Sequence, residues 1–313
     1  MHPCELRMVA PSPSLPHSVS RLTRSPVHWF TGPMSLPRHP LLRLLLALVL
    51  IGAPFALGAK LFQLVLPTAP DWRVVGNLLR GSWMLCVYAG YVRWVERRPV
   101  LELGLRGAGR EFATGAGLAT LLIAAFVGLL AVTGHYRLQG LDPAQGWVAL
   151  SSVLPAMLVV AIAEELLLRG LLFRLLEQAW GSWAALAASS LIFGLLHQFN
   201  PHASLYTSLV LGLELGVMFA AAYMLTRRLW LCTGLHFGWN FAQAGVFDVP
   251  MSGFEAKAWF QAKIDGPTWL SGGAFGAEGA LPGLLLCLGL SAWLLWRARA
   301  AGRILRRGET LRD

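Results

Sequence analysis

Three short motifs place ionisable and amide side chains inside stretches of sequence that are otherwise apolar. Their members are Glu164, Glu165 and Arg169 in the first motif, Phe193 and His197 in the second, and His236 and Asn240 in the third. A charged side chain at the centre of a bilayer costs about 2.5–3.5 kcal/mol on insertion scales, so such residues mark a functional site by default. A carboxylate and an imidazole in a dry pocket can activate water, while a second imidazole and an amide stabilise an oxyanion. These residue types predict hydrolysis of a peptide or amide bond.

The spacing of the first two motifs predicts where their side chains lie on helices. Glu165 and Arg169 are four residues apart and share a helix face, so we expect an ion pair that lowers the cost of burying both. Glu164 points about 100° away from Glu165, which leaves it available for another partner. A turn near Gly181 would put Glu164 and His197 at nearly equal distances from the turn on antiparallel helices. This geometry predicts that Glu164 lies beside His197.

The third motif also has a helical spacing. His236 and Asn240 are four residues apart and can face one cavity from a single helix. Phe193 lies one turn before His197 and is expected to form an apolar wall. Intramembrane Glu–Arg pairs, His and Asn are also commonly structural polar contacts between helices. Chemistry is favoured because only two of the eight histidines lie in the middle of apolar stretches, and each belongs to one of these motifs.

Other unusual residues in the apolar stretches receive structural interpretations. Glu214 either lines the same cavity or is an isolated buried carboxylic acid, and we favour the second interpretation. Its neighbours Gly212 and Gly216 are interpreted as positions where helices pack closely. The four cysteines are scattered singly, which predicts buried free thiols rather than disulfides or a zinc site.

The elements that must position the motifs are membrane-spanning helices. The composition is 56% hydrophobic and 13% charged, and several apolar runs reach the roughly 20 residues that a bilayer-spanning helix needs. The chain is predicted to be an all-α, polytopic transmembrane helical bundle with about eight membrane-spanning helices. The candidate spans are at about 41–66, 74–95, 112–133, 147–168, 183–200, 204–225, 229–247 and 281–296.

The net charge of +10 has a distribution that predicts orientation. The arginine clusters before the first span, between the second and third, after the fourth and sixth, and after the eighth fall on one side of an eight-helix serpentine. Basic residues mark cytoplasmic loops, so both termini are predicted to be cytoplasmic and the 248–280 loop external, lying in the interface or capping the bundle. Orientation explains the basic charge, so no nucleic-acid partner is expected.

The chain is predicted to divide into five segments. They are a disordered leader or misassigned start at 1–33, N-terminal transmembrane helices at 34–146, a catalytic transmembrane core at 147–247, an external loop at 248–280, and the last transmembrane helix with a basic cytoplasmic tail at 281–313. Arg is far commoner than Lys, which is typical of a GC-rich genome. The predicted location is therefore a bacterial plasma membrane.

The three motifs in this order resemble the signature of the CPBP family of intramembrane endopeptidases. This family comprises type II CAAX prenyl proteases and bacteriocin-processing or immunity proteins. The segment from Thr226 to Trp230 is similar to the Thr-x-x-Leu-Trp sequence common in it, and the resemblance covers residues 160–245. It implies an eight-helix bundle with a conical cavity and a glutamate-type proteolytic mechanism.

The resemblance also implies a role for each motif residue. Water would be activated by Glu164 and His197, the oxyanion stabilised by His236 and Asn240, and the site oriented by Glu165 and Arg169, with Glu165 also able to take part. Two glutamates and two histidines form a set that zinc accepts, so zinc at Glu164, His197 and His236 is an alternative. We expect no metal or other cofactor, because the chain has no His-Glu-x-x-His pair and Asn is a poor zinc ligand.

Three functions are compatible with these motifs. The favoured function is an intramembrane endopeptidase acting on a membrane-embedded or membrane-anchored protein or peptide, with the lipid bilayer as its surroundings. A non-catalytic membrane scaffold or bacteriocin-immunity protein of the same fold is the alternative. A transporter would use the buried Glu and His as proton relays, but it predicts internal repeats that are not evident here. These patterns leave the oligomeric state open.

Overall fold

The computed structural model describes residues 40–66 and 70–309. Eight helices of thirteen or more residues run through the described part of the chain. In chain order they are α1 (Pro40–Val65), α2 (Pro70–Gly90), α3 (Ala108–Val132), α4 (Pro143–Trp180), α5 (Ser182–Leu196), α6 (Leu205–Thr226), α7 (Leu229–Phe241) and α8 (Leu281–Ala300). The predicted leader at 1–33 lies outside the described residues.

Each of the eight predicted apolar spans corresponds to one of these helices. Within the described residues, six helical stretches are long and apolar enough to cross a membrane, and they belong to α1, α3, α4, α5, α6 and α8. The other two helices fall short because α2 carries Arg73 and Arg80, and because α7 has only 13 residues before a π-helical turn at Ala242–Phe247. The predicted all-α polytopic bundle of an integral membrane protein is confirmed. The number of crossings stays a prediction.

Helix α4 is longer than the span predicted at 147–168. Asp142 caps its first turn by accepting hydrogen bonds from the backbone N–H of Ala144 at 2.9 Å and of Gln145 at 3.1 Å. The helix continues to Trp180 and breaks at Gly181, whose φ of +86° favours glycine. The predicted span is therefore a part of this helix, which extends beyond it at both ends. The predicted turn near Gly181 is confirmed.

A small antiparallel sheet departs from the all-helical expectation. Strand β1 (Tyr136–Leu141) pairs with β2 (Phe260–Ile264), so the connection between α3 and α4 is joined to the predicted 248–280 loop. A further hydrogen bond runs from the backbone N–H of Asp142 to the carbonyl of Trp259 at 3.1 Å. The loop is thus anchored to the helical bundle.

The connections between helices gather at two opposite ends of the bundle. At one end, which we call the basic end, Arg227 pairs with Glu177, and the backbone N–H of Ser182 donates to the carbonyl of Leu305 at 2.9 Å. At the other, the sheet end, Asn200 Nδ2 donates to the carbonyl of Ser252 at 3.1 Å. The basic end comprises residues 91–107, 177–182, 226–228 and 301–309, and the sheet end comprises residues 133–142, 199–204 and 248–280.

Glycines allow two pairs of helices to pack with their backbones in contact. A Cβ atom added to Gly234 of α7 would lie 2.2 Å from the carbonyl oxygen of Phe112 in α3. On the other side of the bundle, a Cβ atom on Gly212 or Gly216 of α6 would meet the backbone of Ser190 in α5 at 2.8–2.9 Å. The interpretation of Gly212 and Gly216 as close-packing positions is confirmed.

The cysteines in the described residues are free thiols, as predicted, but they are not all buried. Cys232 and Cys287 are buried, whereas Cys86 is exposed on the surface of α2. The prediction is wrong for Cys86 because an apolar span has an outward face as well as an inward one. Cys4 lies outside the described residues.

Candidate active site

A single cavity of about 940 Å³ brings together the four residues predicted to be catalytic. Its lining is mainly apolar and comes mostly from α4, α5, α7 and the loop that follows α7, with contributions from α1, α2 and α6. The polar lining residues from the motifs are Glu164, His197, His236 and Asn240. Phe193 also lines the cavity, as expected of an apolar wall. Electrostatic interactions are stronger in a largely apolar cavity of this kind than in bulk water.

Glu165 and Arg169 lie behind the cavity wall and form the predicted ion pair. Arg169 Nη1 lies 2.9 Å from Glu165 Oε1, and both side chains are 0% exposed. Arg169 Nη2 donates to the carbonyl oxygen of Gly216 on α6 at 2.9 Å. The guanidinium carbon lies 5.0 Å from the ring centroid of Phe193 and 5.4 Å from that of Phe219. The pair therefore connects α4 to α5 and α6.

The same carboxylate oxygen of Glu165 also holds His236, a contact that the sequence did not predict. His236 Nδ1 lies 2.9 Å from Glu165 Oε1. The imidazole stacks on Phe219, with ring centroids 4.7 Å apart and an interplanar angle of 15°. Glu165 thus sets the position of a cavity residue that lies 71 positions further along the chain.

Glu164 has a different environment from its neighbour. Its side chain is 31% exposed, and its Oε2 lies 3.8 Å from His236 Nε2. That distance is too long for a direct hydrogen bond. Within the part of the chain that the structure describes, Glu164 Oε2 is enclosed and has no hydrogen-bond partner. Of the two carboxylates, Glu164 is the one that faces the cavity.

His197 follows the last residue of α5 and has a defined tautomer. Its Nδ1 lies 2.8 Å from the carbonyl oxygen of Phe193, which can only accept, so Nδ1 carries the proton. The Nε2 of a neutral His197 is then a hydrogen-bond acceptor. Both Glu164 and His197 line the cavity as predicted, although the imidazole within 3.8 Å of Glu164 is that of His236.

A loop outside the three motifs supplies another part of the cavity wall. Met251, Ser252 and Phe254 line the cavity, and Ser252 is fixed by Glu278. Glu278 is 0% exposed and accepts from the backbone N–H and the Oγ of Ser252 through one oxygen. Its other oxygen accepts from Trp239 Nε1 at 3.0 Å and from Gln243 Nε2 at 3.1 Å.

Sequence reasoning missed Glu278 and Phe219. Phe219 lies in the apolar run 217–222 of α6, so nothing in its immediate sequence surroundings distinguishes it. Glu278 is an acidic residue within a Gly-rich, apolar segment, and that contrast is the signal that could have found it. Both residues act on α7, since Phe219 stacks on His236 and Glu278 accepts from Trp239, the neighbour of Asn240.

Glu214, the other glutamate of the apolar stretches, belongs to a separate buried cluster. It is 0% exposed and is not a lining residue of the cavity. Its Oε1 lies 3.7 Å from the sulfur of Cys287 on α8. Glu214 is therefore a buried carboxylic acid outside the cavity, which agrees with the favoured interpretation over a cavity-lining one.

The described residues do not fit a metal site. Across residues 40–66 and 70–309, no group of three or more His, Cys, Asp or Glu side chains is arranged to hold a metal ion. Zinc at Glu164, His197 and His236 therefore carries no step in the chemistry below, and the absence of a cofactor stays a prediction.

Comparisons with known proteins identify the part of the chain that contains this cavity. Residues 145–242, which carry all three motifs, match the family described as type II CAAX prenyl endopeptidase, Rce1-like. Curated proteins and solved structures give no match to this chain. The match confirms the resemblance to the CPBP and CAAX proteases that the motifs indicated. Residues 145–242, about a third of this membrane protein, are thus similar to the type II CAAX prenyl endopeptidases, and the similarity supports a protease or hydrolase.

Proposed function

We propose that this protein is an intramembrane glutamic-type endopeptidase that cleaves a membrane-embedded or membrane-anchored protein or peptide. One observation carries the proposal: Glu164, His197, His236 and Asn240 line the same largely apolar cavity. They come from three helical segments that are distant in the sequence. If these residues only made structural contacts between helices, there would be no reason for a carboxylate, two imidazoles and an amide to face the same cavity.

Glu164 is the proposed general base. Its enclosed Oε2 has no partner among the described residues, and it lies near enough to His236 Nε2 for both to contact one water molecule. His197, with its proton on Nδ1, offers Nε2 as a second acceptor for that water. As the water oxygen attacks the substrate carbonyl carbon, Glu164 takes its proton and later transfers it to the leaving amine.

His236 and Asn240 are proposed to stabilise the oxyanion. Because Glu165 engages Nδ1 of His236, the imidazole donates from Nε2 only when it is doubly protonated. In that state, the positive charges of Arg169 and His236 balance the negative charges of Glu164 and Glu165. The oxyanion accepts from His236 Nε2 and Asn240 Nδ2, and one such donor is worth about 3–4 kcal/mol in a dry site.

The proposal includes the location of the protein. The arginine clusters at the basic end support an orientation in which that end, with both termini, is cytoplasmic. The preference for Arg over Lys supports a bacterial plasma membrane. The substrate is then another component of the same membrane, because the cavity lies among helices that lipid surrounds.

The proposal is tested by comparing polypeptide termini, by mass spectrometry, in membranes and medium of cells expressing wild type, Glu164→Gln or His197→Ala at equal levels. New termini present with wild type and lost with both variants are expected. The matched control is Glu214→Gln, which changes a buried carboxylic acid outside the cavity and is expected to keep the wild-type termini.

Identical termini from wild type and both variants would contradict the proposal. If the variants also corrected any phenotype caused by deletion, the non-catalytic scaffold or immunity function would replace it. Loss of the termini with Glu214→Gln as well would show that the assay reports correct folding rather than chemistry.

A further inference from the structure

We infer that the active-site cavity opens on the side of the membrane opposite the cytoplasm, so that the substrate is cleaved in a segment exposed there. The inference rests on the proposed function and deepens it by defining the substrate class. The substrate is a membrane-anchored polypeptide whose cleavable segment has been translocated, rather than one with a cytoplasmic tail.

The two ends of the bundle differ in charge. The basic end carries nine arginines and four glutamates, namely Arg93, Arg97, Arg98, Arg106, Arg227, Arg228, Arg303, Arg306 and Arg307 together with Glu96, Glu102, Glu177 and Glu309. The sheet end carries Arg137, Lys257 and Lys263 together with Asp142, Asp248, Glu255, Asp265 and Glu278. Basic residues near the ends of spans are retained on the cytoplasmic side, so the sheet end faces away from the cytoplasm.

The proposed catalytic groups lie towards one end of their helices. Helix α5 begins at Ser182 in the basic end, and His197 follows its last residue. Helix α7 begins at Leu229, next to the basic end, and Asn240 is the residue before its last. Two helices that run in the same direction thus deliver their catalytic side chains near the sheet end.

The rim of the cavity is charged at one end of the bundle and apolar at the other. The charged side chains of Arg73, Glu255 and Lys257 line the cavity near the sheet end, and all three are exposed. Charged side chains at the rim of a cavity are stable only where water can hydrate them, so this rim is expected to face water. The lining towards the basic end is apolar and includes Leu44, Leu168 and Leu172. Among the described residues, none of the arginines named at the basic end lines the cavity.

One side of the cavity is formed by exposed apolar residues that can face lipid. Leu48, Ile192 and Leu196 line the cavity and are 41%, 37% and 57% exposed. An apolar anchor can therefore lie against these residues while the chain that leaves the membrane at the sheet end passes Glu164 and His197. This arrangement selects a peptide bond close to the point where the substrate emerges on the far side of the membrane.

Labelling of introduced cysteines tests the sidedness without any activity. In a background with Cys4 and Cys86 replaced by alanine, three single variants are compared in right-side-out membrane vesicles with a small membrane-impermeant thiol reagent. Ser152→Cys is nearly isosteric and lies in the cavity, Lys257→Cys lies at the rim, and Arg306→Cys is the exposed control at the basic end. We expect intact vesicles to label Ser152→Cys and Lys257→Cys, and Arg306→Cys to require permeabilisation.

Each other outcome overturns the inference. Labelling of Arg306→Cys in intact vesicles, with Lys257→Cys protected, would reverse the orientation. Labelling of Lys257→Cys without Ser152→Cys would mean that the cavity is not open to water on that side. Terminal mapping separates this inference from the proposed function: cuts on the cytoplasmic flank of anchors would overturn only the sidedness. The absence of cuts would overturn the protease function and with it the substrate class, whereas the sidedness of the cavity would still be decided by the labelling.

Discussion

Glu164 and Glu165 are adjacent in the chain, but the helix gives their side chains opposite surroundings. The side chain of Glu164 is 31% exposed and faces the cavity, whereas that of Glu165 is 0% exposed and contacts both Arg169 and His236. A rotation of about 100° between successive helical residues produces this difference. Neutralising Glu164 and neutralising Glu165 are therefore expected to have different effects on activity and stability.

We predict that Glu164→Gln abolishes cleavage with little change in stability, while Glu165→Gln reduces both. Neutralising Glu165 leaves Arg169 buried without its counter-ion, and breaking a buried pair in this way costs about 3–5 kcal/mol. Glu164 has no ion pair of comparable length, so its variant is expected to stay within about 0.5 kcal/mol of wild type. Thermal unfolding in detergent and the terminal analysis measure the two effects. Equal losses of stability would contradict the assignment of separate roles.

At the level of single residues, the sequence predicted local contacts and missed distant ones. The Glu165–Arg169 pair follows from four-residue spacing, and the helix supplies the geometry. The contact between Glu165 and His236 joins α4 to α7, and no periodicity within one helix encodes which helices become neighbours. The sequence predicted that Glu164 lies beside His197. Both residues line the cavity, but the imidazole within 3.8 Å of Glu164 is that of His236.

At the level of helices, the contact between α3 and α7 determines where His236 and Asn240 lie. A Cβ atom on Gly234 would come within 2.2 Å of the Phe112 carbonyl oxygen, and one on Gly115 within 2.4 Å of the Leu231 carbonyl oxygen. Atoms at such distances must move apart. Because both contacts involve backbone, the helices themselves would have to separate.

We predict that Gly234→Ala destabilises the protein by about 1–3 kcal/mol, the usual cost of overpacking, and lowers cleavage. Gly117→Ala in α3 is the matched control, because a Cβ atom there meets nothing within 4 Å. That variant is expected to keep activity and to gain up to about 1 kcal/mol, since alanine loses less entropy in a helix. Thermal unfolding and terminal analysis apply to both variants. Similar behaviour of the two would contradict the importance of the α3–α7 contact.

The loop that contains Ser252 is held to α7 by one buried carboxylate, so a single substitution is expected to release it. In Glu278→Gln, the remaining side-chain oxygen still accepts from Trp239 and Gln243. The new NH2 group is a donor that faces the N–H donor of Ser252, so the hydrogen bonds to Ser252 are lost. We predict faster cleavage of residues 250–258 by an added protease and a raised KM for substrate. Glu255→Gln removes an exposed carboxylate from the same loop and is expected to leave the cleavage rate by added protease unchanged. Equal rates in all three proteins would contradict this role of Glu278.

The helices could be predicted from the sequence, whereas the sheet could not. Apolar runs of bilayer length predict helices reliably because lipid leaves the backbone few other ways to satisfy its hydrogen bonds. Strands β1 and β2 have five or six residues each and are separated by more than a hundred positions. Their pairing depends on the fold bringing two connections to one end, which is information that neither strand contains.

At the level of the whole molecule, ion pairs connect the elements of the basic end. Arg174 of α4 contacts Glu96 at 2.6 Å, and Arg98 contacts Glu96 at 2.7 Å and Glu102 at 2.6 Å. Tyr88 of α2 also donates to Glu102. The segment between α2 and α3 is thereby attached to the far end of the helix that carries Glu164. The basic end is therefore a layer of ion pairs and hydrogen bonds that joins the ends of several helices.

We predict that this layer weakens in acid before the rest of the protein does. Burial raises the pKa of Glu96 and Glu102, but the guanidinium groups of Arg174 and Arg98 lower it by more, so the pKa of both carboxyl groups lies below its ordinary value. Their stabilising contribution is complete above the unfolded pKa of about 4.3 and is lost as the pH falls through the lower folded value. Thermal unfolding from pH 6 to pH 3 is expected to show a steeper loss for wild type than for Glu96→Gln, which has one carboxyl group fewer to protonate. Parallel curves would contradict the prediction, because they would mean that acid acts elsewhere in the molecule.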